Sequence, residues 1–146
     1  MNSKSPVLTF IQPDFSTTLA RPLFLSKVPA GFPSPADDYI EGNLDLNQHL
    51  IKHKAATFFV RVTGDSMTGA GIHDGDLLIV DRALEAQDKS VVVAVVNGEF
   101  TVKRIKKDNG RVWLMPENEK FQPMEMKEGS ELEIWGVVTN VIHSVI

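Results

Sequence analysis

The sequence predicts a mainly β protein, with a compact antiparallel β domain preceded by a mobile N-terminal arm. Runs of valine, isoleucine, threonine and aromatic residues fill the chain from Thr57 onward, and prolines crowd its first 35 residues. With 146 residues, 42% of them hydrophobic and 23% charged, the chain has the length and composition of one globular domain with a substantial core.

The N-terminal arm is defined by proline. Residues 1–35 hold six of the eight prolines, and a residue with no backbone N–H and a fixed φ disfavours regular helix and favours extended backbone. We therefore expect this segment to be extended, poorly packed and mobile. At its end, Ser34, Pro35 and Asp37 have the order of an N-cap, a first helical residue and a capping-box acid. This order predicts a short helix or turn that begins near Ala36.

Six apolar runs predict the strands of the β domain. They are separated by glycine, asparagine or aspartate, the residues that turns favour. The runs are TFFVRV (57–62), DLLIV (76–80), SVVVAVV (90–96), EFTVKRI (99–105), RVWLM (111–115) and LEIWGVVTNVIHSVI (132–146). Between the third and fourth runs stand Asn97 and Gly98, the pair typical of a two-residue type I′ hairpin. These two strands are therefore expected to pair antiparallel.

Composition and charge argue against several classes of protein. No apolar run approaches the roughly 20 residues of a membrane helix, and the N-terminus lacks the apolar core of a secretory signal. The chain has no cysteine and so no disulfide framework. We expect a cytoplasmic protein that does not associate with membranes. A net charge of −4 argues against direct nucleic-acid binding, because contact with phosphates normally needs a basic face.

A candidate nucleophile lies in a polar turn. Ser66 and Met67 stand in a glycine-rich stretch between two apolar runs, with no histidine within six residues of Ser66. A base for its hydroxyl must therefore come from elsewhere in the chain. Asp65 is adjacent in sequence, but neighbouring side chains in a strand or turn point apart. The polar-turn interpretation of Asp65 is preferred over a catalytic acid.

A lysine in the fourth run, Lys103, is a candidate for this base. Alternation along a strand puts Thr101, Lys103 and Ile105 on one face. Keeping a lysine of ordinary pKa neutral at pH 7 costs roughly 4.6 kcal/mol, which is about 3.4 pKa units at about 1.36 kcal/mol each. Burial can lower a lysine pKa by about 3–5 units, which would make it a general base for a serine hydroxyl. Pattern alone leaves open the commoner alternative of a solvated strand lysine.

Four motifs together resemble a known family. They are AGFPSPADDYIE (30–41), GDSM (64–67), GDLLIVD (75–81) and NGEFTVKRI (97–105). They look like the UmuD and LexA family of self-cleaving serine peptidases, most closely its UmuD type, over the chain from about Leu23 to the end. The family's intervals between scissile glycine, serine and lysine are matched by Gly31, Ser66 and Lys103 (66 − 31 = 35; 103 − 66 = 37). Ala30, before the glycine, is the choice typical of the LexA type.

The resemblance implies a Ser/Lys peptidase that cuts itself. Ser66 would be the nucleophile, Lys103 the general base, and the backbone of Met67 an oxyanion donor. The cut between Ala30 and Gly31 would divide the chain into an arm, residues 1–30, and a β-rich peptidase domain, residues 31–146. Val28, Pro29, Phe32 and Pro33 flank the cut and could dock this extended segment in an apolar cleft. The resemblance implies no cofactor and no metal.

The resemblance also implies a function and partners. The shortened product would be an accessory subunit of an error-prone translesion DNA polymerase in the SOS response to DNA damage. It would join the catalytic subunit of the UmuC type, and the RecA filament on single-stranded DNA would activate the cut. The apolar tail, residues 136–146, favours a homodimer seam.

Other functions remain as alternatives. A signal-peptidase-type enzyme uses the same Ser/Lys pair but needs a membrane anchor, which this sequence does not contain. A LexA-like transcriptional regulator would place a helix-turn-helix domain before the cut, where this chain has a proline-rich arm. A non-catalytic polymerase-binding module with a vestigial site is the main alternative, and the intact Ser66/Lys103 pair argues against it.

Two polar clusters invite a metal-site interpretation. His49 and His53 stand four apart, which is a metal-ligand spacing on a helix, but the sequence offers no third ligand. We interpret them as a surface pair. Asp74, Asp76 and Asp81 could suggest a cation site, but HDGD (73–76), which enters a β run, is more simply interpreted as a turn. No metal site is predicted.

Overall fold

The computed structural model describes residues 9–24, 28, 30–32 and 40–146. These residues form two compact units. One contains residues 9–13 together with 53–146, and the other contains the described residues of 14–52.

The larger unit is built on one eight-stranded sheet. Its strand order is β1-β4-β5-β10-β6-β7-β8-β9, and every neighbouring pair is antiparallel. The strands are β1 (Thr9–Ile11), β4 (Thr57–Arg61), β5 (Leu77–Asp81), β6 (Val91–Val96), β7 (Glu99–Asp108), β8 (Arg111–Met115), β9 (Met124–Met126) and β10 (Leu132–Ile142). Two 3-10 turns, Lys54–Ala56 and Thr68–Ala70, interrupt the connections. The predicted mainly β, antiparallel fold is confirmed.

Two tight hairpins set the register of the strands that follow. Asn97 and Gly98 join β6 to β7 with φ of 48° and 83°, and Asn109 and Gly110 join β7 to β8 with φ of 48° and 76°. Both residues of a type I′ turn need positive φ, which asparagine and glycine tolerate better than other residues. The first hairpin is the predicted one. The second has the same chemistry and extends β7 further than the sequence run suggested.

The core of this unit consists of two clusters of buried residues. Near-continuous Val, Ile and Leu in β5 and β6 reflect strands that are covered on both faces. The first cluster contains Val60, Val62, Met67, Ile72, Leu78, Val80, Val93 and Val102. The second contains Ala86, Val92, Ala94, Ile105, Leu114 and Val137. The first cluster supports the segment that carries Ser66, because Met67 is a member of it.

The smaller unit is a two-stranded antiparallel pair followed by one helical turn. Strand β2 (Ala20–Phe24) pairs with β3 (Ile40–Asp45), and α1 (Leu46–Leu50) follows directly. Asp45 caps α1: its carboxylate accepts hydrogen bonds from the backbone N–H of Asn47 at 2.9 Å and of Leu19 at 3.2 Å. This N-cap therefore also ties the residue before β2 to the end of β3.

The N-terminal arm contains two β-strands, which its proline-rich sequence did not predict. Strands β1 and β2 both lie within residues 1–30, and each pairs with a strand from beyond residue 39. The expected extended backbone is thus organised into paired strands where the arm is described. The helix or turn expected near Ala36 lies outside the described residues. Across the described part of the chain, no helix is long and apolar enough to cross a membrane.

Candidate functional site

Ser66 lies in the connection between β4 and β5, which is tied to itself by hydrogen bonds. The backbone N–H of Val62 donates to the carbonyl of Asp76 at 2.9 Å, and that of Gly75 donates back to the carbonyl of Val62 at 2.8 Å. The N–H of Gly64 donates to the Asp74 carboxylate at 2.8 Å. The aspartate-rich segment is therefore a turn, as predicted, and it holds the chain that leads into Ser66.

The side chain of Met67 anchors the Ser66 loop to the core. Its side chain is 2% exposed and packs in the first core cluster, whereas Ser66 remains partly accessible. The carbonyl of Met67 accepts hydrogen bonds from the N–H groups of Ala70 and Ile72. The short 3-10 turn ends at Gly71, whose φ of 78° is in the left-handed region that glycine tolerates. A buried residue next to the serine thus fixes the backbone while leaving the hydroxyl available.

Lys103 reaches Ser66 from β7, which lies between β6 and β8 in the sheet. Its Nζ lies 3.2 Å from the Oγ of Ser66, 2.8 Å from the Oγ1 of Thr101 and 3.0 Å from the carbonyl oxygen of Val102. Thr101 and Lys103 share a face of the strand, as alternation predicted. The structure therefore brings together two residues that are 37 positions apart in the sequence.

The environment of Lys103 favours its neutral form. Burial lowers the pKa of the Lys103 ammonium below its ordinary value, because the charged form loses hydration. A neutral amine has two N–H groups and one lone pair. When the N–H groups donate to Thr101 and Val102, the lone pair remains for the hydroxyl proton of Ser66. The three neighbours of Nζ match the needs of a general base.

The loop after β8 clamps the Ser66 segment, and sequence reasoning missed it. The N–H of Glu117 donates to the carbonyl of Ser66 at 2.8 Å, and its own carbonyl accepts from the N–H of Gly69 at 2.7 Å. The Nδ2 of Asn118 donates to the carbonyl of Asp65 at 2.8 Å. A Cβ added at Gly69 would lie 2.6 Å from the Glu117 oxygen, so this close approach needs glycine.

Glu117 also connects this clamp to the strand that carries the lysine. Its Oε1 lies 2.5 Å from the Nε of Arg104, the residue after Lys103. Arg104 in turn donates to the carbonyl of Lys89. One residue therefore links the backbone around Ser66 to the strand around Lys103, and no local pattern in the sequence marks it.

A small apolar recess adjoins the serine. It is lined by Val62, Thr63, Gly64, Ser66, Met67, Ile72 and Val102 and has a cavity volume of about 10 Å³. This is room for a group the size of one water molecule or methyl group. The recess therefore suits a very small side chain.

Ala30 and Gly31 belong to the smaller unit, in the connection between β2 and β3. Both are exposed, and a Cβ added at Gly31 would meet nothing within 4 Å. Val28 and Phe32 are 91% and 93% exposed, whereas Pro29 and Pro33 lie outside the described residues. The predicted cleavage site therefore has open surroundings within its own unit.

Two histidines contact buried aspartates. His53 is exposed, in agreement with the surface interpretation, and its Nδ1 lies 2.6 Å from the buried carboxylate of Asp81. His143 similarly contacts buried Asp76 at 2.5 Å, while His49 is exposed on α1. Among the described residues, no group of three or more His, Asp or Glu side chains is arranged to hold a metal ion.

A serine hydroxyl within hydrogen-bond reach of a partly buried lysine, on an antiparallel β scaffold, is the arrangement required by a serine hydrolase with a lysine base. Residues 22–139 match the family described as Peptidase S24-like. The chain belongs to this family.

Individual relatives agree with this assignment. The chain is 49% identical to Protein SamA of Salmonella typhimurium over 122 residues, which cover 84% of each protein. It is 47% identical to Protein MucA of Escherichia coli over 126 residues, 86% of this chain and 84% of MucA. It is also 44% identical to the LexA repressor of Acidithiobacillus ferrooxidans over 121 residues, 81% of this chain and 58% of that repressor.

Proposed function

We propose that this peptidase cuts its own chain between Ala30 and Gly31, with Ser66 as nucleophile and Lys103 as general base. The observation that carries the proposal is the 3.2 Å distance between Nζ of Lys103 and Oγ of Ser66, at a lysine whose pKa burial lowers. Membership of the Peptidase S24-like family and the intervals between these residues support it.

The reaction is an acyl transfer followed by hydrolysis. Lys103 Nζ accepts the hydroxyl proton as Ser66 Oγ bonds to the carbonyl carbon of Ala30. The resulting ammonium then gives a proton to the amide nitrogen of Gly31, the C–N bond breaks, and Ala30 remains as an ester on Ser66. The neutral lysine then takes a proton from water as the water oxygen bonds to the ester carbon, and it returns that proton to Ser66 Oγ as the bond between Oγ and this carbon breaks. The products are residues 1–30 with a free carboxylate and residues 31–146 with a free amine.

The remaining parts of the site serve positioning and charge. The backbone N–H groups of Ser66 and Met67 stabilise the oxyanion, an effect worth roughly 3–4 kcal/mol per donor in other enzymes. The recess beside Ser66 takes the methyl group of Ala30, which its small volume favours. Thr101 orients the amine of Lys103, and Glu117 holds the Ser66 backbone.

We further propose that the shortened product serves an error-prone translesion DNA polymerase during the SOS response. In this proposal, the protein is a cytoplasmic homodimer, the RecA filament on single-stranded DNA promotes the cut, and the product joins the catalytic subunit of the polymerase. The similarity to MucA and to the LexA repressor, together with the UmuD-type motifs, supports this role. The net charge of −4 fits a protein that meets DNA through partners.

The intact mass of the purified protein tests the cleavage. Incubation with RecA, single-stranded DNA and a nucleotide is expected to yield two fragments that correspond to residues 1–30 and 31–146. Ser66→Ala is the control and must remain whole. A cut at another bond, or the same fragments from Ser66→Ala, would contradict the assignment.

A mutagenesis assay tests the role of the product. A chain that begins at Gly31 is expressed with the cognate polymerase subunit in cells unable to cleave the full-length form, and damage-induced mutations are counted. We expect mutagenesis with this chain and little with full-length Ser66→Ala. Equal mutagenesis from both would favour the alternative of a non-catalytic binding module.

A further inference from the structure

The N-terminal strand covers what would otherwise be the edge of the sheet. Strand β1 pairs with the outer side of β4, with Phe10 opposite Val60 and Ile11 opposite Phe59. The inner side of β4 pairs with β5. Without β1, the N–H and C=O groups on the outer side of β4 would be open to pairing with another strand.

Phe10 of β1 also covers a cluster of aromatic side chains. Its ring centroid lies 4.9 Å from that of Phe100 and 4.7 Å from that of Trp135, both in tilted contact. Trp135 further contacts Phe58 edge-on at 5.3 Å. Phe10 is 38% exposed, so most of its side chain is covered. We call the outer side of β4 together with Phe58, Phe100 and Trp135 the β4 edge site.

Strand β1 lies on the N-terminal side of the Ala30–Gly31 bond. This step rests on the proposed function: cleavage there removes the covalent link between β1 and β4. After the cut, the fragment that carries β1 is held only by noncovalent pairing, of β1 with β4 over three residues and of β2 with β3 over five. A covalently tethered segment always returns to its site, whereas a separate fragment can dissociate. Strand β1 then becomes a ligand that other segments can displace.

We propose that the β4 edge site docks an extended segment of a partner polypeptide, and that β1 occupies this site as an internal ligand until the cut. The partner segment adds antiparallel to β4 and places an aromatic side chain where Phe10 lies. The guanidinium of Arg82 lies 4.5 Å from the ring of Trp135, and exposed Arg61 lies on β4 itself. These cations favour a segment with neutral or acidic flanks.

A partner polypeptide fits this site better than a second copy of the chain. Two uncleaved copies could exchange β1, and each edge would then be filled by the same segment. In the proposed cleavage every shortened copy loses β1, so no shortened copy can supply it to another. The vacated edge is therefore available to a different chain.

The proposal is tested in the full-length Ser66→Ala protein, in which nothing depends on cleavage. The probe is a capped synthetic peptide of residues 7–13, VLTFIQP, titrated against the labelled protein by NMR. The chain has two tryptophans. The indole N–H of Trp135 reports on the site, and that of Trp113 on β8, where Lys106 covers the ring, is the internal control.

Phe10→Ala, added to Ser66→Ala, is expected to loosen β1 and to tighten peptide binding by about tenfold, with the shift confined to Trp135. Gln12→Ala, at an exposed position after β1, is the matched control and must bind as weakly as Ser66→Ala alone. Phe10→Leu is expected to fall between them. It keeps the experiment decisive if the alanine variant folds poorly. A peptide with alanine in place of phenylalanine must not bind.

Equal peptide affinity in the presence and absence of Phe10, or equal shifts at both tryptophans, would overturn the proposal. So would a larger peptide-free assembly for the Phe10→Ala, Ser66→Ala protein than for Ser66→Ala alone in light scattering, because this would assign the site to a second copy. If Ser66→Ala behaves as expected here but the wild-type chain does not cleave itself, the docking site stands and the proposed peptidase function fails.

Discussion

Around Ser66 the backbone is held by a buried methionine and by hydrogen bonds from a second loop, whereas around Ala30 and Gly31 the described side chains are exposed. Met67 is packed in a core cluster, and Glu117 contributes two backbone hydrogen bonds to the loop. Among the residues of 14–52 whose side-chain burial the structure describes, Ile51 is the one that is buried. The comparison separates a preorganised segment from an accessible one.

The two segments meet different physical requirements. A nucleophile and its base must be held close to their reactive geometry before substrate arrives, and this takes packing and hydrogen bonds. A peptide bond that is to be cut must be able to present its carbonyl carbon, and small exposed residues leave it open. The contrast between the Ser66 segment and the Ala30–Gly31 segment is what the proposed self-cleavage requires.

The largest expected effect is the loss of the Ser66–Lys103 pair. Ser66→Ala and Lys103→Ala should each lower the rate of self-cleavage by at least about 10³-fold, because each removes a group that acts in every step. Mass spectrometry of timed samples measures the rate. Lys106→Ala, on the same strand with its amine over Trp113, is the control and should cleave at the wild-type rate. Normal cleavage by Lys103→Ala would remove the lysine from the mechanism.

The next largest expected effect is the pH dependence of self-cleavage. Burial lowers the pKa of Lys103, so the neutral base is reached at a lower pH than for an exposed lysine. The rate should rise about tenfold per pH unit below that pKa and level off above it, as a single ionisation. Cleavage rates measured in buffers from about pH 6 to about pH 10 test this expectation. A flat profile would contradict lysine as the base.

Gly69→Ala should break the clamp on the Ser66 segment. Its Cβ would meet the Glu117 oxygen at 2.6 Å, so the loop must shift, at a cost of about 1–3 kcal/mol in the free energy of unfolding. We expect a fall in cleavage rate of roughly 10- to 100-fold from misplacement of the nucleophile. Gly42→Ala, on β3 with nothing within 4 Å of the added Cβ, should change neither quantity. A wild-type rate for Gly69→Ala would show that the clamp is dispensable.

Thr101→Val tests how the lysine is oriented. Loss of the hydroxyl 2.8 Å from Nζ should reduce the maximal rate by about tenfold, or about 1.4 kcal/mol, within the range for one lost hydrogen bond. Because that oxygen stabilises the ammonium more than the amine, the pKa of Lys103 should fall further. The rise in rate should then move to lower pH. Thr139→Val, whose hydroxyl contacts Ile79, is the control. A shift to higher pH would contradict the argument.

The smallest expected effect concerns the turn behind the site. Burial acts to raise the pKa of Asp76, but hydrogen bonds from His143 and from the backbone of His73 hold it below its ordinary value. The stability this provides is present above the ordinary aspartate pKa and is lost as pH falls through the lowered one. His143→Ala should therefore lower the free energy of unfolding by about 1 kcal/mol at pH 7, and less in acid.

Chemical denaturation at several pH values measures that difference. His49→Ala, at an exposed position on α1, should change the stability little and serves as the control. An equal loss at acidic and neutral pH would show that the carboxylate of Asp76 is not involved.

The sequence by itself determined the features that depend on near neighbours. Val- and Ile-rich runs predicted six of the strands, because β-branched residues suit a pleated, buried surface. Asn97 and Gly98 predicted their hairpin because few residues tolerate positive φ. Alternation put Thr101 and Lys103 on one face. The link from Lys103 to Ser66 needed a family resemblance, since no local pattern spans 37 residues.

Only the tertiary structure decided the contacts between distant segments. Strand β1 has three paired residues in a proline-rich arm, too few to leave a periodic signal, and its pairing depends on the open side of β4. Glu117 holds the Ser66 segment through its backbone, which any residue could supply, and its carboxylate pairs with Arg104, 13 positions away in the sequence. Neither contact leaves a local pattern. The lowered pKa of Lys103 likewise arises from burial by surrounding residues. Burial and long-range pairing are properties of the assembled chain and cannot be assigned to a residue until its neighbours are known.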